Sequence, residues 1–133
     1  MLVIGLAGST LESREAVARR LHEDGGRQLV VWAMTGYRIG DGRANTLARA
    51  LEGAKTGRQP VEGLVFTHVL TEEEAAVIRK HGGFVWHVCG MPSNNVIIRQ
   101  GDLLVTETEG GERHFLDPIE ALSEVLLARG AAA

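Results

Sequence analysis

Short apolar runs alternate along this chain with stretches patterned for helix, and that alternation leaves few folds open. Leu2–Leu6, Leu29–Trp32, Gly63–His68, Phe84–Val88 and Asp102–Thr106 read as strands, most of them rich in Val or Leu. They are nearly continuous apolar runs, the pattern of strands covered on both faces in a parallel sheet. Helices are expected at Ser13–His22, Ala44–Glu52, Glu72–His81 and Pro118–Ala128. Ala44, Leu47, Ala48 and Leu51 fall at i, i+3, i+4 and i+7, which gives one buried helical face. Thr71 before the third helix and Gly82-Gly83 after it are cap and stop signals, and Asp117-Pro118 opens the last. Strand–helix alternation with short links predicts an α/β fold. The expected form is a three-layer helix–sheet–helix domain over residues 1–133, with a mainly parallel sheet of about five strands.

Bulk properties narrow the function classes. The chain has 133 residues, 44% of them hydrophobic and 23% charged, which suits one compact domain. A formal net charge of -3 argues against extended nucleic-acid binding, which needs a basic face. No apolar run approaches the roughly 20 residues that span a bilayer, so no membrane partner is expected. The single cysteine, Cys89, excludes an internal disulfide and fits a reducing cytoplasm. No basic segment precedes the first apolar run, so no signal peptide is expected.

The first strand runs into Gly8-Ser9-Thr10-Leu11-Glu12-Ser13-Arg14-Glu15 and then a helix, the setting of a phosphate-binding loop. On GxxxxGK[ST], Gly8 opens the motif, while Ser13 stands for the second glycine, Arg14 for the lysine and Glu15 for the hydroxyl residue. Lysine and the magnesium-binding hydroxyl carry much of phosphoryl-transfer chemistry. If the loop holds phosphate, backbone N–H groups from Gly8 to Ser13 and the helix N-terminus point at the anion. Without phosphate, Ser9 caps the helix and Glu12 returns the bond as a capping box.

Two stretches together resemble the bacteriophage-type deoxynucleoside monophosphate kinases, a branch of the P-loop nucleotide kinases. Gly5-Leu6-Ala7-Gly8 and Val17-Ala18 match the family's strand–loop–helix opening, and Glu15 parallels an acidic residue after its lysine. In Phe66–Trp86, Glu74-Ala75, Ile78-Arg79, Gly82-Gly83 and Val85 match a strand–helix–strand segment in which His68 and Leu70 replace an aspartate and an arginine. The family is longer, with a helical monophosphate-binding region and a lid; only Thr35–Pro60 is available here for the first. The resemblance implies a nucleotide-kinase fold, ATP with magnesium as cofactors, and a small-molecule nucleotide as partner. It places phosphate contacts at Gly8, Ser9, Thr10, Ser13, Arg14 and Glu15, with Arg14 in the lysine's catalytic role.

Further candidates lie in two loops that directly follow strands, where open α/β sheets bind ligands. In Thr35–Arg43, Arg38 and Arg43 could grip a monophosphate bidentately while Tyr37 stacks on a base; the alternative, slightly favoured, is a solvated loop with an exposed tyrosine. Gly90–Gln100 starts as a polar loop and ends as a short extended piece; its Arg99 could likewise contact a phosphate, although one isolated arginine usually reads as surface. Five histidines raise the question of metal, but none forms HxH, HxxxH or HExxH. His87 and Cys89 project to one strand face and read as core residues, and no metal site is expected. A dinucleotide oxidoreductase is disfavoured: Gly5-x-x-Gly8 lacks the GxGxxG spacing, and Val31-Trp32 supplies no acidic residue for a ribose.

Two functions therefore stand. One is a degenerate nucleotide-kinase-like protein that binds a nucleotide, phosphate or protein with weak or no catalysis. The other is an active minimal (deoxy)nucleoside monophosphate kinase. Loss at the lysine, hydroxyl and aspartate positions together favours the first. A homodimer is among the assemblies either allows.

Overall fold

The computed structural model describes residues 1–34, 42–57 and 61–132. Strand and helix alternate as β1 (Leu2–Ala7), α1 (Leu11–Asp24), β2 (Leu29–Trp32), α2 (Arg43–Thr56), β3 (Gly63–Phe66), α3 (Glu72–Lys80), β4 (Phe84–Val88), β5 (Leu103–Val105) and α4 (Pro118–Ala132). The strands form one 5-stranded sheet in the order β2-β3-β1-β4-β5, every neighbouring pair parallel. The expected three-layer α/β architecture is present, consistent with the layering of P-loop kinases.

Strand alternation sorts the side chains of β1 into two cores. Leu2, Ile4 and Leu6 join Val17, Leu21, Ala121, Leu122 and Val125 beneath α1 and α4. Val3 and Ala7 join Leu47, Leu51, Ala75 and Ile78 beneath α2 and α3. Gly5 sits on the second face because α3 comes too near for anything larger. A Cβ there would lie 2.4 Å from Ile78 Cδ1 and 2.8 Å from Val69 Cγ2.

Two expectations need correction. β2 reads as a strand covered on both faces, yet only Leu29 is buried, while Val30, Val31 and Trp32 are 36–41% exposed. The cause is topological: β2 is the edge of the sheet, so its apolar run meets a neighbour on one side. The second correction concerns α1, which starts at Leu11 rather than Ser13. Its cap is Thr10, whose Oγ1 accepts from Ser13 N at 3.1 Å, not Ser9 paired with Glu12. Ser9 has φ 57, left-handed, whereas Thr10 has the extended conformation that a cap residue needs.

The other end signals act as read. Thr71 Oγ1 accepts from Glu74 N at 3.3 Å, and Asp117 Oδ1 accepts from Ile119 N at 2.7 Å. Burial raises the Asp117 pKa, but the N–H groups of Gly110 and Ile119 and the nearby Arg20 outweigh it and hold the group below its ordinary value. The expected extended piece at the end of Gly90–Gln100 is not a strand; the sheet resumes at Leu103. Among the described residues no helix is long and apolar enough to cross a membrane.

Candidate functional site

The chain leaves β1 toward β2 on one side of the sheet and leaves β4 toward β5 on the other. The crevice of a doubly wound sheet opens where connections diverge in this way, here beyond Ala7 and Val88. Gly8, Ser9 and Thr10 are the whole connection between β1 and α1. The residues that align with the second half of GxxxxGK[ST], Leu11 to Glu15, are already helical. Ser13 N is bonded to Thr10 Oγ1, and Arg14 N donates to Thr10 O at 3.1 Å.

The crevice is closed by the chain itself. Ser9 N donates to Met91 O at 2.7 Å, so a backbone carbonyl takes the N–H that would face an anion. A Cβ on Gly8 would lie 3.6 Å from Val88 O, Met91 O and Ser93 N, which is ordinary van der Waals contact with the covering strand end and loop. Gly8 itself is left-handed, at φ 77. Ser9 Oγ in turn rests on Gly90, where a Cβ would fall 2.5 Å from it. The covering loop is firmly attached. Val96 is buried in the α2–α3 core. Glu72 Oε1 accepts from Ile97 N at 2.6 Å, and this bond, helped by Arg99 and Arg79, outweighs desolvation and holds the Glu72 pKa below its ordinary value.

Arg14 closes the side toward β3. Its Nη1 donates to Gly8 O at 2.8 Å and more weakly to Ser9 O at 3.4 Å. Nε donates to Thr67 O at 3.1 Å and to His68 Nδ1 at 3.3 Å. The guanidinium thus bridges the first connection to the end of β3. Burial lowers the Arg14 pKa and Glu15 opposes the shift; an arginine stays charged regardless. Because arginine only donates, His68 Nδ1 accepts and the ring proton belongs on Nε2, an assignment that follows from the bonding network. That Nε2 is buried without a hydrogen-bond partner, 3.7 Å from Glu15 Oε1.

The neutral ring makes a prediction. Burial, then the Arg14 charge, lowers the His68 pKa, so the folded protein resists the proton that the unfolded chain accepts near the ordinary value of about 6.5. His68 therefore contributes no pH dependence above that value. Below it, stability falls until pH passes the depressed folded value, at no more than about 1.4 kcal/mol per pH unit for one proton. Urea denaturation between neutral and mildly acidic pH reads this slope, and His68→Asn should flatten it. An unchanged slope in the variant would exclude His68 as its origin.

Arg43, read as a monophosphate contact, lies inside the protein. It is 2% exposed and begins α2. Its Nε meets Glu74 Oε1 at 3.0 Å, Nη1 donates to Met34 O at 2.8 Å and Nη2 to His68 O at 2.7 Å. Glu74, fully buried, also accepts from Thr71 Oγ1 at 2.7 Å. Arg14 and Arg43 therefore approach the same Thr67–His68 link, Arg14 through the imidazole and the Thr67 carbonyl and Arg43 through the His68 carbonyl. Tyr37 and Arg38 lie outside the described residues.

Beside Arg43, the N-terminus of α2 borders a hollow of about 370 Å³ lined by Gly42, Arg43, Ala44, Asn45, Thr71 and Glu73. Gly42 supplies no side-chain cap, and no acidic residue stands in the first turn. Arg99 donates to Glu72 Oε2 at 3.2 Å. His87 Nε2 meets Asp102 Oδ2 at 2.8 Å, and Arg79 Nη2 meets the same oxygen at 2.7 Å. Nothing in the sequence marks Asp102 as this partner, because the partner of a strand histidine carries no local signal. Among the described residues no group of three or more His, Cys, Asp or Glu side chains is placed to hold a metal ion. Comparison with models of known families, with curated proteins and with solved structures gives no match.

Proposed function

We propose that this chain is a nucleotide-kinase-like scaffold that has given up phosphoryl transfer and acts by binding a protein partner. The observation that carries the reading is the bond from Ser9 N–H to Met91 O. An internal carbonyl stands where the family resemblance calls for a phosphate oxygen. The Arg14 guanidinium, in the lysine's position, faces carbonyls of its own chain and is a positioning group. Apolar side chains exposed at this end, Leu11 at the start of α1 and Met91, Ile97 and Ile98 in the connection after β4, suit a protein partner better than a polyanion.

A second reading keeps a nucleotide or phosphate but moves it to the α2 N-terminus, where an uncapped helix end borders an open hollow. Calorimetry separates the two, with ATP and deoxynucleoside monophosphates each titrated with and without magnesium. The proposal expects no magnesium-dependent ATP binding. Tight magnesium-dependent ATP binding, or phosphoryl transfer to a monophosphate, overturns it. Monophosphate binding that ignores magnesium and is lost in Asn45→Glu supports the second reading instead.

A further inference from the structure

Among the described residues the edge strand β2 is open in a way that the crevice is not. Gln28 O accepts from Glu62 N and Trp32 O from Thr67 N, so these residues turn their backbones toward the β3 side. By strand alternation Val30 does the same, while Leu29 and Val31 point outward. Leu29 is occupied: its N–H donates to Arg27 O, and its carbonyl lies 2.9 Å from His22 Nδ1. Val31 is the strand residue that presents both its N–H and its C=O at the rim, and among the described residues no strand pairs with it there.

Each face of this strand has a hollow. Toward α2 there is one of about 480 Å³, whose lining includes Val30, Trp32, Ala50, Ala54 and Val61. Toward α1 there is one of about 300 Å³, lined in part by Glu15, Arg19, His22 and Val31. The first is apolar. The second carries one acid, Glu15, and two basic residues, Arg19 and His22, on successive turns of α1.

We propose that β2 pairs antiparallel with β2 of a second copy, about a two-fold axis midway between the two Val31 residues. Under that operator Val31 exchanges both backbone bonds with its own image. Trp32 then lies opposite Val30 of the second copy, and Val30 opposite its Trp32, so exposed apolar side chains cover one another at cross-strand distance. On the other face α1 runs against the strand, with His22 beside Leu29 and Glu15 in the same hollow as Ala33. The two-fold reverses that order, bringing Glu15 of one copy toward Arg19 and His22 of the other, twice over. Backbone, apolar and charge patterns are each self-complementary, as an isologous interface requires. The inference does not depend on what the crevice binds.

The test is the oligomeric state of the full chain by light scattering and sedimentation across a dilution series. Wild type should be a dimer that dissociates on dilution. Val31→Pro removes the outward N–H, and Val31→Lys places a charge on the rim, a feature by which natural edges avoid pairing. Either should raise the dimer Kd at least about tenfold while circular dichroism stays unchanged. If the proline variant fails to fold, the lysine variant decides, since Val31 is already 38% exposed. Arg19→Glu should weaken the dimer as well. A wild-type chain that stays monomeric at every concentration overturns the proposal, and so does a dimer indifferent to Val31→Lys.

Discussion

Replacing Glu74 by alanine should cost about 3–5 kcal/mol of folding stability, the range for breaking a buried ion pair by removing one partner. The Glu74 carboxylate has no exposed surface and balances the Arg43 charge inside the protein at 3.0 Å. It also ties Thr71 Oγ1 and Leu70 N at the start of α3. Against a total stability of roughly 5–15 kcal/mol the loss is large, and urea denaturation measures it directly. Glu74→Leu combined with Arg43→Met removes both charges together and should recover much of the loss, because apolar replacements of a whole buried pair are often neutral. A single-variant cost below about 1 kcal/mol would contradict the buried-pair account.

The second large effect concerns Arg14. Arg14→Ala withdraws a charged donor from Gly8 O and Thr67 O and should destabilise the protein by roughly 2–4 kcal/mol, given the cost of leaving buried acceptors unmatched. Arg14→Lys restores the residue type of the phosphate-loop motif, yet it should not restore stability. One compact ammonium lacks the planar fork that reaches both carbonyls. It should also confer no magnesium-dependent ATP binding, since Met91 O still holds Ser9 N–H. Denaturation and calorimetry on the same two variants check both statements. Wild-type stability in Arg14→Lys would remove the structural role, and ATP turnover would remove the argument from the closed crevice.

The two predictions share a physical origin in how charged residues are used at this end of the sheet. Arg14 and Arg43 stand in the first turns of α1 and α2, where arginines commonly meet phosphate, and residue type alone offers no way to tell a ligand contact from an internal brace. The distinction depends on direction. A guanidinium that finds carbonyls within hydrogen-bond distance is satisfied by the protein, and which carbonyls are near is a matter of how β3 and the Gly90–Ser93 segment approach the first connection. His68 shows the same: as a letter it marked a missing aspartate, whereas in place it is a neutral acceptor for Arg14.

Local signals survived the passage to three dimensions well. Thr71 and Asp117 cap the helices they precede, because a cap bond spans only two or three residues and needs no tertiary information. The continuous apolar runs became parallel strands, and period-sorted residues such as Leu47 and Leu51 became core. At Ser9 the local reading failed, since contact with Gly90 and Met91 accompanies a left-handed backbone there and leaves Thr10 to cap α1. β2 failed for a related reason. Its four residues are as apolar as those of β3, and its place in the strand order leaves three of them exposed.

The amino-acid sequence alone therefore determined the strand–helix alternation, the layering, most helix ends and the membership of the core, all consequences of short-range periodicity and capping. Tertiary structure decided the rest. It set which strand became the open edge, which carbonyl met Ser9, and whether two arginines faced a ligand or their own chain. Those outcomes depend on contacts between residues tens of positions apart, whose geometry no local pattern encodes.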